Sequence, residues 1–227
     1  PTLSNHYYFK SSDLWLSYSQ GFRNPTLTDL FSNSPSFVGN PDLEAETSEQ
    51  FEVGIKSKQP HKLSWDFRLF HMEYKNFVES TEISPSVFSR TNRGSGYSRG
   101  LDAEIAWTAP LVKASLAYNY LDTKSRQLSR SFRLSPRHQL TLNAWHNFGH
   151  FDLQIQNTHW YRVIDVNLNQ AVELEDWQQW NFFISRQLFQ KTHLQIGLIN
   201  AFNEGKQLTI NYPEPQRKYW VQVRQRF

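Results

Sequence analysis

The stretches Leu-Asp-Ala-Glu-Ile-Ala-Trp at residues 101–107 and Val-Lys-Ala-Ser-Leu-Ala-Tyr-Asn-Tyr at residues 112–120 decide the fold. In each, apolar side chains alternate with polar or small ones at a period of two residues, which is typical of a β-strand with one apolar face. The alternation returns at residues 151–156, 194–198 and 219–227. No helical stripe with i, i+3, i+4 spacing is sustained, so the sequence predicts an all-β chain.

Extending this pattern along the chain gives about eleven candidate strands. They cover roughly residues 3–9, 14–22, 47–58, 62–78, 86–108, 112–122, 137–147, 151–163, 176–187, 192–201 and 218–227. Short turns are predicted at Lys10–Asp13, Gln59–His61, Ala109–Leu111, Phe148–His150 and Leu188–Lys191. Longer loops alternate with them at Arg23–Glu46, Glu79–Pro85, Thr123–Pro136, Ile164–Glu175 and Phe202–Arg217. An up-and-down antiparallel sheet with short turns at one end and long loops at the other is typical of a transmembrane outer-membrane β-barrel.

The composition excludes several other classes of protein. Aromatic residues make up 15% of the 227 residues, which argues against a disordered chain. Cysteine is absent, so neither a disulfide scaffold nor a cysteine-based zinc site is expected. The sequence has no apolar run of about 18 residues, so no transmembrane helix is predicted. The formal charge of +3 is spread along the chain, whereas nucleic-acid binding requires a clustered basic patch.

In a barrel, the apolar side of each strand meets lipid and the polar side lines a wet lumen. The predicted lipid-facing residues are Leu101, Ile105, Leu116, Leu140, Ile155, Phe182, Ile196 and Val221. The predicted lumen-facing residues are Asp102, Glu104, Lys113, Asn143, Gln154, Asn181, Gln195 and Arg224. Aromatic residues near the strand ends predict interfacial girdles; they are Tyr7–Phe9, Trp15, Tyr18, Trp65, Tyr74, Trp107, Tyr118, Tyr120, Trp160, Tyr161, Trp177, Trp180 and Tyr219. The weaker alternative is a soluble antiparallel sandwich with an aromatic core.

A series of short motifs, taken in order, resembles the signature of TonB-dependent outer-membrane receptors. The motifs are Phe-Arg-Asn-Pro at 22–25, Gly-Asn-Pro-Asp-Leu-Glu-Ala-Glu-Thr-Ser at 39–48, Phe-Glu-Val-Gly at 51–54, Ser-Arg-Gly-Leu-Asp-Ala-Glu at 98–104, Ser-Pro-Arg-His at 135–138, Asn-Ala-Phe-Asn at 200–203 and Pro-Gln-Arg at 215–217. Phe227 matches the family's terminal aromatic residue. Ala201 and Gln216 depart from the family pattern, which has Leu and Gly there. The resemblance covers the whole chain.

This resemblance implies a barrel of about 22 strands with a plugged lumen, located in the bacterial outer membrane. Eleven strands cannot close such a cylinder, so residues 1–227 are expected to be the C-terminal part of the barrel. A plug domain and the N-terminal barrel strands are then expected outside this chain. The implied partners are outer-membrane lipid, the N-terminal half of the barrel, a small-molecule chelate and, through the missing N-terminal part, the TonB complex; nucleic acid is not expected. A closed small barrel of about 10 or 12 strands remains an alternative.

The sequence contains no catalytic constellation, so no enzyme activity, resident cofactor or metal site is expected. The resemblance implies TonB-dependent uptake of a scarce metal chelate, with an iron–siderophore ranked ahead of cobalamin and haem. The haem interpretation is weakened because Arg23–Leu43 contains no histidine. A self-contained porin-like or structural barrel is the alternative from another class. Aromatic rings can stack on a ligand, and guanidinium groups can bind an anionic chelate. The candidate ligand-binding residues chosen for these properties are Arg23, Phe31, Phe37, Trp160, Arg162, Trp177, Tyr212 and Arg217. For each of them, packing within the loops is the alternative role.

Overall fold

The computed structural model describes residues 1–57, 62–126, 135–167, 170–205 and 207–225. Its elements, in chain order, are β1 (Thr2–Tyr8), β2 (Ser12–Arg23), α1 (Leu27–Phe31), β3 (Asn33–Ser34), β4 (Phe37–Val38), β5 (Glu46–Ser57), β6 (Leu63–Ser84), β7 (Val87–Thr108), β8 (Val112–Ser125), β9 (Ser135–Asn147), β10 (Asp152–Asn167), β11 (Gln170–Leu174), β12 (Trp177–Phe189), β13 (Thr192–Ile199), β14 (Gln207–Thr209), β15 (Tyr212–Pro213) and β16 (Lys218–Gln225). No helix in these ranges is long and apolar enough to cross a membrane.

One sheet of 14 strands dominates the described residues, and its long strands lie beside one another in chain order. The order is β1-β2-β5-β6-β7-β8-β9-β10-β12-β13-β16, and each neighbouring pair is antiparallel. These strands correspond one for one to the predicted strands, so the prediction of an antiparallel up-and-down sheet is confirmed. The predicted turn Gln59–His61 and the terminal residue Phe227 lie outside the described residues.

Two of the predicted loops are wrong, because the strands continue through them. The predicted loop Glu79–Pro85 is strand up to Ser84, and β6 and β7 form one long hairpin. The hydroxyl groups of Thr81 and Thr91 lie 3.0 Å apart across this hairpin and support its extension. The predicted loop Ile164–Glu175 is a second hairpin, in which β11 pairs with the end of β10. Ladder hydrogen bonds stabilise these polar extensions, and polarity alone does not reveal them.

The register confirms the predicted division of residues between two faces. Cross-strand partners share a face, and Leu101 lies opposite Leu69 and Tyr120. On the other face, Asp102 lies opposite Arg68 and Asn119. Further apolar pairs are Ile105–Leu116, Leu140–Tyr118, Ile155–Phe182 and Ile196–Val221. Further pairs on the polar face are Asn143–Ser115, Gln154–Trp145, Asn181–Gln156, Gln195–Gln222 and Arg224–His193.

Five of the aromatic residues assigned to the girdles lie on the polar face instead: Tyr8, Trp15, Tyr74, Trp160 and Trp177. The indole of Trp15 covers Gly54 on the neighbouring strand, where an added Cβ would lie 2.0 Å from the ring. Its Nε1–H group also donates to Glu52 Oε1 at 2.8 Å. A cross-strand glycine thus makes room for an aromatic ring on the polar face, and the position of a residue near a strand end does not predict this.

Buried apolar side chains are confined to the loop end of the sheet. Among the described residues, the buried apolar side chains are Leu43, Val163, Trp177 and Ala201. By contrast, Ile105, Leu116, Ile196 and Val221 on the apolar face are exposed. A soluble sandwich would bury these side chains against a second sheet. The arrangement therefore fits a sheet whose apolar face meets lipid, with its packed regions among the loops.

Candidate functional site

The loop that follows β2, residues 24–45, is called loop A. Thr26 and Asp29 begin α1 as a capping box: the Thr26 hydroxyl accepts from the Asp29 backbone N–H, and the Asp29 carboxylate accepts from the Thr26 backbone N–H. The loop then returns over the helix, since the Gly39 N–H donates to Ser32 O at 2.6 Å. A Cβ at Gly39 would lie 2.6 Å from the helix backbone, so this close approach requires glycine.

Loop A is fastened to β7 by polar contacts. The Phe88 N–H donates to Ser36 O at 3.0 Å, and Asn40 Nδ2 donates to Arg90 O at 2.9 Å. Arg90 Nε lies 3.2 Å from Asp29 Oδ1. The Thr26 hydroxyl, together with the Arg90 guanidinium, lowers the pKa of the Asp29 carboxyl group below its ordinary value. Asp29 is therefore charged at neutral pH and connects the helix to the hairpin.

Three candidate ligand-binding residues belong to loop A or its base. Phe31 ends α1 with its side chain exposed. Phe37 is half-buried, and the Arg90 guanidinium lies 5.6 Å from its ring centroid. Arg23, at the end of β2, is paired with Glu46 at 2.5 Å, while 71% of its side chain stays exposed. Loop A thus presents rings and guanidinium groups on a polar framework.

The loop that precedes β16, residues 200–217, is called loop B, and it packs against the outer ends of β10 and β12. The rings of Trp160 and Trp177 are stacked with centroids 4.1 Å apart, and Trp177 is only 2% exposed. Val163 and Asp165 are fully buried beside them on β10. Asp165 Oδ2 accepts from the Ile210 N–H of loop B at 2.8 Å. Trp160, Val163, Asp165 and Trp177 together with loop B are called the stack assembly.

Asn200 organises the inner part of loop B. Its φ angle is +52°, a left-handed conformation that Asn tolerates better than most residues. Its side-chain amide donates to Glu204 O and Pro215 O at 3.0 and 3.1 Å. The Arg217 backbone N–H donates to Asn203 Oδ1 at 2.8 Å. The two asparagines of the 200–203 motif therefore close loop B just before the final strand.

The remaining candidates lie at the surface of the stack assembly. Arg162 has a φ angle of +51°, and its backbone N–H donates to Asp176 Oδ1 at 2.8 Å. Its Nε atom lies 3.5 Å from Glu173 Oε1. Tyr212 and Arg217 are exposed. The eight candidates therefore form two groups. One comprises Arg23 at the end of β2 and the rings of loop A, which contacts β7, and the other lies beside β10. In the sheet, β8 and β9 lie between β7 and β10.

The polar face carries a charged cluster that the sequence analysis did not identify. Arg68 is paired with Asp102 and lies 3.7 Å from Glu52. Asn119 Nδ2 donates to Asp102 Oδ1 at 2.6 Å, and Trp15 donates to Glu52. These side chains line a cavity of about 360 Å³, and Asp66 and Glu104 line it as well.

Four carboxylates lie here with two cations, Arg68 and Lys56, and Lys56 on β5 lies opposite Asp66. This part of the polar face is therefore acidic, and it is called the acidic patch. The acidic residues Asp102 and Glu104, which alternate along β7, indicate in the sequence that this part of the polar face is acidic. Only the register of the sheet shows that Glu52, Asp66 and Arg68 on the neighbouring strands lie beside them.

Comparisons with known proteins agree with this geometry. A family model described as TonB dependent receptor-like, beta-barrel, matches residues 6–203. The vitamin B12 transporter BtuB of Vibrio vulnificus (strain YJ016) is 25% identical over 107 residues, which are 47% of this chain and 17% of that protein. The chain therefore spans only a small part of this curated relative.

Solved structures share the fold at low sequence identity. The copper transporter OprC has a TM-score of 0.84 and 15% identity, with 100% of this chain and 39% of that chain covered. A mutant of the ferric enterobactin receptor PfeA from Pseudomonas aeruginosa, in complex with enterobactin, has a TM-score of 0.81 and 18% identity, with 99% of this chain and 40% of that chain covered. These relatives are named as transporters and receptors. Because the family model matches most of its length, the chain belongs to the TonB-dependent receptor family of outer-membrane β-barrel proteins and forms part of the barrel wall.

Proposed function

We propose that the complete protein is a receptor for TonB-dependent uptake of a metal chelate, with an iron–siderophore as its ligand. The chain supplies the C-terminal part of the barrel, and a plug domain and the N-terminal strands belong to the rest of the protein. The position of β1 and β16 at the two ends of the described sheet supports this division. Sheet edges that face lipid leave backbone groups unpaired at a cost of several kcal/mol each, so further strands would satisfy them.

The observation that carries the proposal is the chemistry of loop A. Its exposed rings and guanidinium groups are held in place by contacts that leave their outer surfaces free for a ligand. Aromatic rings stack on planar chelating groups, and guanidinium groups bind anionic oxygens. Phe31 and Arg23 are the most exposed of these groups, and Phe37 is backed by Arg90. They form the first ligand-contacting group of the proposal.

The second ligand-contacting group belongs to the stack assembly. In the proposal, Tyr212, Arg162 and Arg217 lie at the surface of the stack assembly and contact the ligand there. Trp160 contacts the ligand with one face of its ring, and Trp177 packs against the other face. Because β8 and β9 separate this group from loop A, a ligand that touches both must be large. Iron–siderophores and cobalamin both meet this requirement.

The acidic patch supports the proposed plug. Glu52, Asp66, Asp102 and Glu104 line one cavity of the polar face, and the two nearby cations, Arg68 and Lys56, neutralise only part of their charge. A plug segment with basic side chains would complement this surface. In the proposal, TonB acts on the plug, and breaking these ion pairs accompanies release of the ligand.

A cobalamin receptor is the second candidate, because the curated relative is named as a vitamin B12 transporter. The test is ligand binding by the complete receptor in detergent, measured by calorimetry with a panel of ferric siderophores and with cyanocobalamin. Tight binding of one ferric siderophore, together with loss of growth on it in a deletion strain, is the expected result. Binding of cyanocobalamin alone would replace the first candidate with the second. Uptake that persists without TonB would instead support a porin-like barrel.

A further inference from the structure

A cavity of about 300 Å³ lies on the polar face at the end of the sheet that carries the short turns. The ends of β12 and β16, the turn after β12 and the start of β13 supply its wall, and the residues are Gln187, Gln190, Lys191, Thr192, His193 and Arg224. These six residues are called the basic cluster. The register places His193 directly opposite both Gln187 and Arg224. Short turns face the periplasm in an outer-membrane barrel, so the cavity opens at the periplasmic end of the lumen.

The basic cluster brings cations together without counter-ions. Lys191 and Arg224 line one cavity, whose described wall contains no carboxylate. Among the described residues, Lys191, His193 and Arg224 make no ion pair. Like charges held close together repel each other, and an anion placed between them relieves this repulsion. The basic cluster is therefore suited to binding an anionic group.

The strands that lead to the basic cluster carry amides on their polar face. β12, β13 and β16 contain no aspartate or glutamate along their described lengths. Asn181 and Gln195 point inward from them, and Asn181 Nδ2 donates to Gln156 Oε1 on β10 at 3.0 Å. At the turn end, Asp152 on the neighbouring β10 accepts from Asn147 Nδ2 at 2.6 Å. The inward surface of β12, β13 and β16 is called the amide wall.

The acidic patch lies on a different part of the polar face, on β5, β6 and β7. Its four carboxylates outnumber its two cations, Arg68 and Lys56. Surfaces of one sign attract ions of the other sign and repel ions of the same sign. An anion in the lumen is therefore repelled by the acidic patch and attracted to the amide wall, where amide N–H groups can donate to its oxygens.

We propose that the anionic chelate crosses the lumen along the amide wall and binds the basic cluster before it enters the periplasm. This inference rests on the proposed function, because it assigns a route and an exit site to the same ligand. Guanidinium and ammonium groups form charge-assisted hydrogen bonds with anionic oxygens such as those of catecholates, hydroxamates and carboxylates. A cavity of about 300 Å³ is at the small end of the range for ligand sites, so it accommodates one chelating arm rather than a whole chelate.

A carboxylate of the plug domain is the alternative counter-ion for the basic cluster. A fixed ion pair with the plug requires cations at one point of the lumen. Three strands without carboxylates, from the loop end to the turn end, instead suit an anion that moves along them. Lys191, His193 and Arg224 are also exposed, so they are accessible to a departing ligand.

The first measurement is a fluorescence titration of the complete receptor in detergent with pyrene tetrasulfonate, a polyanion. Arg224→Gln and Lys191→Gln should each weaken binding at the basic cluster about tenfold, because each removes a charge-assisted contact. Arg224→Lys keeps a cation and should bind normally. The matched control is Arg186→Gln, because Arg186 lies at the same end of β12 on the apolar face, opposite Leu194. Heat-modifiable migration on gels shows whether each variant has assembled.

The second measurement separates binding at the loop end from import. Cells that produce the complete receptor are given each ferric siderophore of the calorimetric panel, loaded with radioactive iron. The double variant Lys191→Gln, Arg224→Gln should bind the siderophore with unchanged affinity in cells that lack TonB. In cells with TonB it should import the siderophore about tenfold more slowly, whereas Arg186→Gln should import it normally.

Two outcomes would overturn the inference. Polyanion binding that is the same in the unmodified receptor and in both glutamine variants would show that the basic cluster does not bind free anions and that the plug occupies it. Import at the normal rate by the double variant would exclude the proposed route. If no siderophore of the panel binds, the proposed function itself fails, and the polyanion titration still decides whether the basic cluster is an anion site.

Discussion

Loop A and the stack assembly both stand where the strands emerge from the membrane, yet they are stabilised in different ways. Loop A is tied to β7 by hydrogen bonds and an ion pair at the surface, and Phe31 remains exposed. The stack assembly buries Trp177, Val163 and Asp165 almost completely. A loop held by surface contacts can offer its side chains to a ligand. A buried assembly mainly fixes the position of its neighbours.

The largest expected effect comes from the stack itself. Trp177→Ala should lower the free energy of unfolding by about 3–5 kcal/mol, because it leaves a large cavity beside Trp160. Phe31→Ala in loop A is the matched control and should change the free energy of unfolding by no more than about 0.5 kcal/mol. Urea unfolding of the complete receptor in detergent micelles, followed by tryptophan fluorescence, measures both. Equal losses would show that the two regions are equally packed.

The second test compares the two regions in ligand binding. Arg23→Ala and Arg217→Ala in the complete receptor should each weaken ligand affinity by about 1.5–3 kcal/mol, or roughly ten- to a hundredfold. Each removes a charge-assisted contact to an anionic chelate. Calorimetry with the transported ligand measures the change, and outer-membrane abundance checks assembly.

Glu46→Gln is the control for Arg23, because it weakens the ion pair but leaves the guanidinium in place. Normal affinity in both arginine variants would remove these residues from the binding site. Loss of assembly would instead identify them as structural contacts.

The third test concerns the hydrogen bond from the Ile210 N–H of loop B to the Asp165 carboxylate of β10. Asp165→Ala should destabilise the receptor by about 1–3 kcal/mol, because the half-buried Ile210 N–H loses its acceptor, the fully buried Asp165 carboxylate. Asp29→Ala removes exposed contacts of loop A, namely the capping bond to Thr26 and the ion pair with Arg90, and should cost only about 0.5–1 kcal/mol. Hydrogen exchange of loop B, read by mass spectrometry, should rise in the first variant only. Unchanged exchange in Asp165→Ala would contradict the proposed role of this carboxylate.

The smallest expected effect is a response to acid in loop A. The pKa of Asp29 is lowered in the folded state, so its contribution to stability is present above its unfolded pKa and is lost as the pH falls through its folded pKa. Hydrogen exchange of residues 26–31 should therefore increase below about pH 4, near the ordinary range of aspartate. Asp29→Asn should abolish this step and leave residues 160–165 unchanged. The same acid response in Asp29→Asn would assign it to another group.

The sequence by itself determined the strands, their order and the two faces. Alternation such as Leu101, Ala103 and Ile105 against Asp102 and Glu104 depends only on neighbouring residues, and a strand repeats every two residues in any context. The short turns and the motif order determined the direction of the sheet and the resemblance to the family. For these reasons the fold was predictable from local pattern.

Only the tertiary structure decided which residues meet across strands. Trp15 lies on the polar face because Gly54 leaves room for its ring, and Trp177 is buried because Trp160 covers it. The acidic patch requires Glu52, Arg68 and Asp102 from three strands, and their contact depends on register. The outer ends of β6 and β10, together with β11, were predicted as loops, because polar strands stabilised by cross-strand hydrogen bonds resemble loops in sequence. Such contacts join residues distant in the chain, and local periodicity carries no information about them.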